Sequence, residues 1–327
     1  MSGIFSQLGV VKEVTYGTPV VVTRFFEMVS ESIAEEYARV ESASLRDSQR
    51  VLRADRWAPN FKGASGTVEL EVMSKGFGFW LEHMLGTVTT SGPAETTAYT
   101  HVGKIGSLTG KAFTCQVGRP DTSGTVRAFT YEGGKITGWE LSNSVDGVLI
   151  ARLDTDFENV LTATALATDS YPTAMEVLTF VGGSVSIGGS ALSVTDFTLR
   201  ANNNLKTDRY FVRANTQKKE PLENGMREYT VSCTVEFEDM TQYNRVASAT
   251  VAGAQADILA KWEGSLAGAT TLKNTLQVDL DTVRWDSFTP QVSGPELLTA
   301  TLEGKVVDDG GADGPVKLTY ITRDVTP

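Results

Sequence analysis

Histidine and cysteine are almost missing from this 327-residue sequence, with two of each. His83 and His101 are too few for a histidine-rich metal centre and leave little imidazole for proton transfer. Cys115 and Cys233 each stand in an apolar-alternating run, AFTCQV and YTVSCTVEF, where a thiol acts as a small core side chain. Buried free thiols are therefore expected rather than a disulfide, and no Cys-x-x-Cys spacing is present. There is no run of about 18 apolar residues, which excludes a hydrophobic membrane-spanning helix. The start Met1-Ser2-Gly3-Ile4 has neither a charged nor an apolar signal region, so residence in a cytosol is expected.

Basic residues are also in deficit: 29 Lys and Arg stand against 40 Asp and Glu, a formal net charge of -11. That sign opposes a surface that grips phosphate. It suits a wall past which nucleic acid has to slide. No Gly-x-Ser-x-Gly nucleophile elbow occurs. Gly106-Ser107-Leu108-Thr109-Gly110-Lys111 is one residue short of a phosphate-binding loop, and Ala112 replaces the hydroxyl residue that would hold magnesium, so it reads as a turn. No catalytic residue, metal site or cofactor is indicated, and an enzyme is not expected.

What the sequence does have is 41% hydrophobic and 21% charged residues, the balance of a folded globular chain. Thr, Val, Gly and Ser recur in short alternating runs bounded by Gly, Asn and Asp, which predicts a mainly β protein. Strands are expected at Gly66–Val72, Ala112–Val117, Thr125–Tyr131, Lys135–Asn143, Gly147–Asp154, Gly183–Ile187, Ser193–Ala201, Glu228–Glu238, Leu276–Val283 and Leu297–Val307. Glu132-Gly133-Gly134-Lys135 and Val145-Asp146-Gly147 read as hairpin turns. Helical spacing appears over Ser74–Leu85 and Met240–Ala249, with Phe79, Trp80 and Leu81 as core residues. Each stretch follows an acidic strand and ends near Gly, which hints at an internal duplication.

Carboxylates two apart recur on the expected strands: Glu69 and Glu71, Asp154 and Asp156, Glu236 and Glu238, Asp279 and Asp281. Side chains alternate across a strand, so each pair should share the face opposite its apolar neighbours. A solvated face explains any single pair; four together could make a continuous acidic wall. Charges of both signs crowd Arg24 to Arg56, where Glu27, Glu31, Glu35, Glu36 and Glu41 give way to Arg46, Arg50, Arg53 and Arg56. This predicts an N-terminal arm over residues 1–60, solvated or docked on a charged neighbour. Residues 202–224 are polar, turn-rich and locally basic through Lys206, Arg209, Lys218 and Lys219, as in a long projecting loop. A β domain over 61–327 is expected, with room for an outer insertion within about 90–190 and a boundary near 160–190.

Gly9-Val10-Val11-Lys12-Glu13-Val14-Thr15-Tyr16-Gly17-Thr18-Pro19-Val20, followed by Arg24-Phe25-Phe26-Glu27, resembles the start of the major tail tube proteins of siphophages, particularly those of actinobacterial hosts. Gly63-x-x-Gly66-Thr-Val-Glu-Leu-Glu-Val and Phe197-Thr-Leu-Arg-Ala-Asn-Asn-Asn-Leu are similar to strand-plus-loop elements of that family. The resemblance covers about the first two thirds of the chain; the last third rests on strand pattern. It implies a β-sandwich or half-barrel subunit with one or two short flanking helices, six to a ring, whose inner sheets join into a barrel. Implied partners are further copies of the chain, the tape measure protein, and tail terminator and baseplate proteins, with DNA only as transiting cargo. The implied location is the virion tail, after assembly in the host cytoplasm. Some of the eight acids above would then line the lumen, and Arg46, Arg50, Arg53, Arg56, Lys206, Arg209, Lys218 and Lys219 would make inter-subunit contacts. Cutting the arm at about Asp55 is expected to leave a folded monomer. The competing reading is another virion β protein, a decoration, minor tail or carbohydrate-binding adhesin module, using Trp57, Trp139, Trp262 and Trp285; single tryptophans in strands favour core or interface roles instead.

Overall fold

The computed structural model describes residues 3–246, 255–269, 271–292 and 294–327. Runs rich in Thr and Val with alternating burial make it mainly β, as the sequence predicts. The first strands are β1 (Gln7–Lys12), β2 (Arg24–Phe26), β3 (Ser30–Glu31), β4 (Ala34–Glu41) and β5 (Trp57–Glu71). Helix α1 (Gly78–Leu85) precedes β6 (Gly86–Ala94), β7 (Ala98–Ile105), β8 (Phe113–Pro120), β9 (Val126–Ser144), β10 (Ile150–Phe157) and β11 (Asn159–Leu161). Then come β12 (Gly183–Ile187), β13 (Ser190–Leu192), β14 (Val194–Asn202), β15 (Leu205–Lys206), β16 (Leu222–Glu223) and β17 (Glu228–Glu236). Helix α2 (Thr241–Val246) leads to β18 (Ala256–Leu266), β19 (Lys273–Ser287), β20 (Thr299–Val306) and β21 (Val316–Thr322).

A small antiparallel sheet runs β2–β1–β8–β9–β11 and uses only the first half of β9. The second half enters a wide sheet ordered β4–β5–β10–β9–β14–β17–β20–β19. β19 turns this sheet into a second layer, pairing along its first half with β18 and β21, which lead on to β12 and to β7 and β6. The layers meet as a sandwich: Phe197 of β14 lies edge-on to Trp262 of β18 at 5.4 Å, and the Trp262 indole N–H donates to Asn143 Oδ1 at 2.9 Å. Strict alternation fills the space between them with Trp139, Leu141, Phe197, Leu199, Val231 and Cys233 from one layer and Ile258, Ala260, Leu276, Val278 and Leu318 from the other. Both cysteines are free and buried, and burial pushes the Cys233 thiol up to about 12.

The tight turn expected at Glu132–Lys135 does not form. Gly133 takes φ +65° inside one continuous strand, and a Cβ on Gly134 would sit 2.6 Å from the Phe113 carbonyl oxygen and 2.7 Å from the Phe157 ring. The paired glycines thus let one strand bend from the small sheet into the wide one rather than reverse. Val145-Asp146-Gly147 does turn the chain between β9 and β10, with Asp146 at φ +63°.

α1 starts four residues later than its apolar spacing suggests, because Gly76 at φ +86° breaks the helical path and donates its N–H to Asp324 Oδ2 at 2.6 Å. Phe79, Trp80 and Leu81 are core residues as expected, and the helix packs within the body, with seven of its eight residues buried. Each large side chain so covered contributes about 1.5–3 kcal/mol. α2 buries none of its residues, so the two helices do not play equivalent parts. Residues 247–249 of the second expected helix lie outside the described residues.

Residues 1–60 are not one arm. Leu8 and Val10 are fully buried, because β1 is a central strand of the small sheet, and removing everything up to Asp55 would strip that core. The part that leaves the body is the hairpin of β4 and β5. No separate unit emerges from 90–190 either: this stretch contributes to the small sheet and to both layers. Residues 162–168, with the small-residue composition of a linker, lie along the small sheet, where Ala167 N–H donates to Gln116 Oε1 and the Gln116 amide donates to the Ala165 carbonyl.

Candidate functional site

The solvent face of the wide sheet is almost entirely polar. Alternation that sends Val68, Leu70, Ala151, Leu153, Trp139 and Leu141 inward sends Glu69, Glu71, Arg152, Asp154, Glu140 and Ser142 outward. β14, β17 and β20 continue the face with Thr198, Arg200, Thr230, Ser232, Thr234, Thr301, Glu303 and Lys305. Strand register draws one charged row across it: Glu69, Arg152, Glu140 and Arg200 on four successive strands, then Thr230 and Lys305. Arg200 binds Glu140 through Nε at 2.8 Å, and Lys305 binds Glu228 at 2.9 Å. Acids outnumber bases, and the bases are neighboured by acids.

The eight acids expected on one wall divide. Glu69, Glu71, Asp154 and Glu236 lie on this face. Glu238 is exposed just beyond the end of β17. Asp279 and Asp281 are on β19, where it belongs to the other layer, and Lys317 approaches Asp279 at 3.6 Å. Asp156 is not at the surface: the register shifts after Asp154, and Asp156 is buried against Lys218 at 2.5 Å. Burial raises its carboxyl to about 6 despite the lysine beside it.

The hairpin is the second candidate. β10 pairs with β5 only from Ala64 onward, and Phe61–Gly63 lie against 210–218, where the Lys62 N–H donates to the Thr216 carbonyl, so Trp57–Asn60 continue past the body with β4 alone, about 13 Å at the usual strand rise. Pro59 falls in this stretch, where a strand tolerates a missing N–H. The tip, 42–56, holds Arg46, Arg50, Arg53 and Arg56, with Leu45, Val51 and Leu52 exposed. Arg53 forks onto Asp55 at 2.9 Å, and among the described residues no ion pair holds Arg46 or Arg50. Trp57 is half exposed beneath Arg39, whereas Trp139, Trp262 and Trp285 are core residues.

Residues 202–224 are tied to the body at several points instead of projecting as a whole, with Phe211–Thr216 left exposed. Lys218 enters the buried pair with Asp156, and Glu220 reaches the buried Lys135 at 2.5 Å. Tyr210 stacks on Phe61 at the hairpin base, 4.6 Å between centroids, and donates its hydroxyl to the Lys62 carbonyl at 3.0 Å. Of the other expected contact residues, Lys206 pairs with Asp208, Arg209 donates to the Glu220 carbonyl, and Lys219 lies over the Phe211 ring. The Gly106–Lys111 turn is no phosphate cradle, since its Leu108 and Gly110 N–H groups already donate to Glu223 and Glu220.

One constellation gave no sign in the spacing of the acids. Glu13 accepts the Gly17 and Gly133 N–H groups, each at 2.9 Å, and the Thr114 hydroxyl at 2.8 Å. Gly17 takes φ +71°, and a Cβ there would meet Glu158 Oε2 at 1.8 Å. Glu158 is nearly enclosed, and burial, with Glu132 and Glu13 nearby, pushes its carboxyl up to about 7. The Glu13-to-Gly17 segment therefore acts as a clasp between β1, the β9 bend and the end of β10.

A family model described as phage tail tube protein matches residues 5–306, reaching well into the last third of the chain. No curated protein matches the sequence.

Proposed function

The chain belongs to the phage tail tube protein family, and from that premise we propose that its copies close into rings of six whose wide sheets form the inner wall of a stacked tube. The observation that carries this reading is the polar face from β5 to β20, which offers water and ions to a lumen and few apolar side chains to passing DNA. Glu69, Glu71, Asp154, Glu140 and Glu236 would face the channel, and the acids beside Arg152, Arg200 and Lys305 would keep those cations from holding phosphate. Asp156, Asp279 and Asp281 fall away from that wall. DNA would pass through the lumen during ejection, with tape measure, terminator and baseplate proteins as tail partners.

Ring closure needs unpaired sheet edges, and the outer edge of β4 is one, without a strand partner over Ala34–Glu41 among the described residues. The hairpin supplies the contact between rings through Arg46, Arg50, Arg53 and Arg56. Negative-stain microscopy of the purified full chain tests the whole reading: annuli and hollow filaments are expected at high protein concentration. A particle that stays monomeric there overturns it.

A further inference from the structure

The hairpin needs a receiving surface, and strand direction says where to look. β5 runs from the tip towards Glu71, and its antiparallel neighbours therefore end, at the pole away from the tip, in 144–147, 194–196, 236–240 and the turn into β20 at 294–298. These segments contain Asp146, Asp196, Glu236, Glu238, Asp239 and Glu296 and no Lys or Arg. Between the acids the same pole exposes Val145, Met240 and Leu297, the last at 79%. Single exposed apolar side chains are ordinary on a surface; the charge of one sign around them is what suits this pole to a basic partner.

The tip is its complement within the same chain. It carries four arginines against two aspartates, Asp47 and Asp55, around Leu45, which is fully exposed, and Val51. We propose that the hairpin tip of one copy docks on the acidic pole of the next copy, with Arg46 and Arg50 opposite Glu238 and Glu296 and the leucines and valines closing between them. The inference rests on the tube reading and assigns its stacking contact to residues. Tip against tip would set arginine against arginine, which disfavours a closed two-fold pair. Tip and pole lie at opposite ends of one strand direction, so each contact advances the next along that axis and leaves the stack open-ended.

Charge reversal in the full chain tests this. Glu238→Lys with Glu296→Lys alters two exposed residues and should cut mean filament length at least tenfold in low salt, leaving separate rings. Arg46→Glu with Arg50→Glu should do the same, and the chain carrying all four changes should polymerise again. Circular dichroism and single-ring diameters identify folded subunits in each case. Filaments of ordinary length from the pole-reversed chain, or no recovery in the folded four-fold variant, overturn the assignment while leaving the tube reading intact. Unmodified protein that forms neither rings nor filaments removes both.

Discussion

At the scale of single residues, the clasp explains why a short N-terminal motif is built as it is. Gly17→Ala forces an L side chain into the left-handed region and drives a methyl into the Glu158 carboxylate, so a loss of about 1–3 kcal/mol is expected by urea denaturation. Glu158 has the opposite kind of effect. Its carboxyl is raised to about 7 in the fold, so the folded state holds a proton that the unfolded chain gives up. Its contribution is present below the ordinary glutamate range near 4.5 and is lost as pH rises through 7. Glu158→Gln should therefore raise the melting temperature at pH 8 and change it little at pH 4. His83 runs the other way. Burial lowers it to about 4, so stability held above pH 6.5 declines as pH falls towards 4, by up to ~3 kcal/mol. His83→Gln should flatten that acid limb in thermal melts between pH 7 and 4. None of this was readable from spacing, because Glu13, Glu132 and Glu158 meet only when three elements fold together.

At the scale of elements, alternation carried most of the information. β12 is where its pattern puts it, and β14, β17 and β20 differ by a residue or two at their ends. The failures have physical causes. Paired glycines serve equally for a reversal and for a bend, and only the neighbouring strands decide which occurs. The alternation starts β5 nine residues late, missing Trp57–Ser65, because a strand largely outside the core needs no apolar face. The loop after β14 was read as projecting because its lysines look solvated, yet Lys218 and Glu220 find buried partners. Breaking that anchorage should be costly. Lys218→Met leaves Asp156 buried without its cation, and about 3–5 kcal/mol of destabilisation is expected in urea melts. Asp156→Asn combined with Lys218→Met should cost less than the sum of the two single changes.

At the scale of the whole molecule, the acid excess read from composition is distributed unevenly, with a basic tip, an acidic pole and a mixed wall between them. If exposed ion pairs set the stacking contact, ionic strength should control it. Filaments formed at 20 mM salt are expected to shorten by 500 mM, while the folded subunit, held by buried contacts, keeps its melting temperature. Sedimentation and thermal melts on one sample separate the two effects. Replacing residues 42–56 by a short Gly-Ser turn should likewise spare the fold, because none of them is buried and β5 joins the core only from Ala64, and stop growth at single rings.

The bend in β9 matters here for a mechanical reason. One unbroken backbone runs through the small sheet and on into the wide one, so neither can slip past the other without straining covalent bonds. A subunit tied in this way resists shear as a unit, and a column of such subunits should flex at the seams between copies rather than within them.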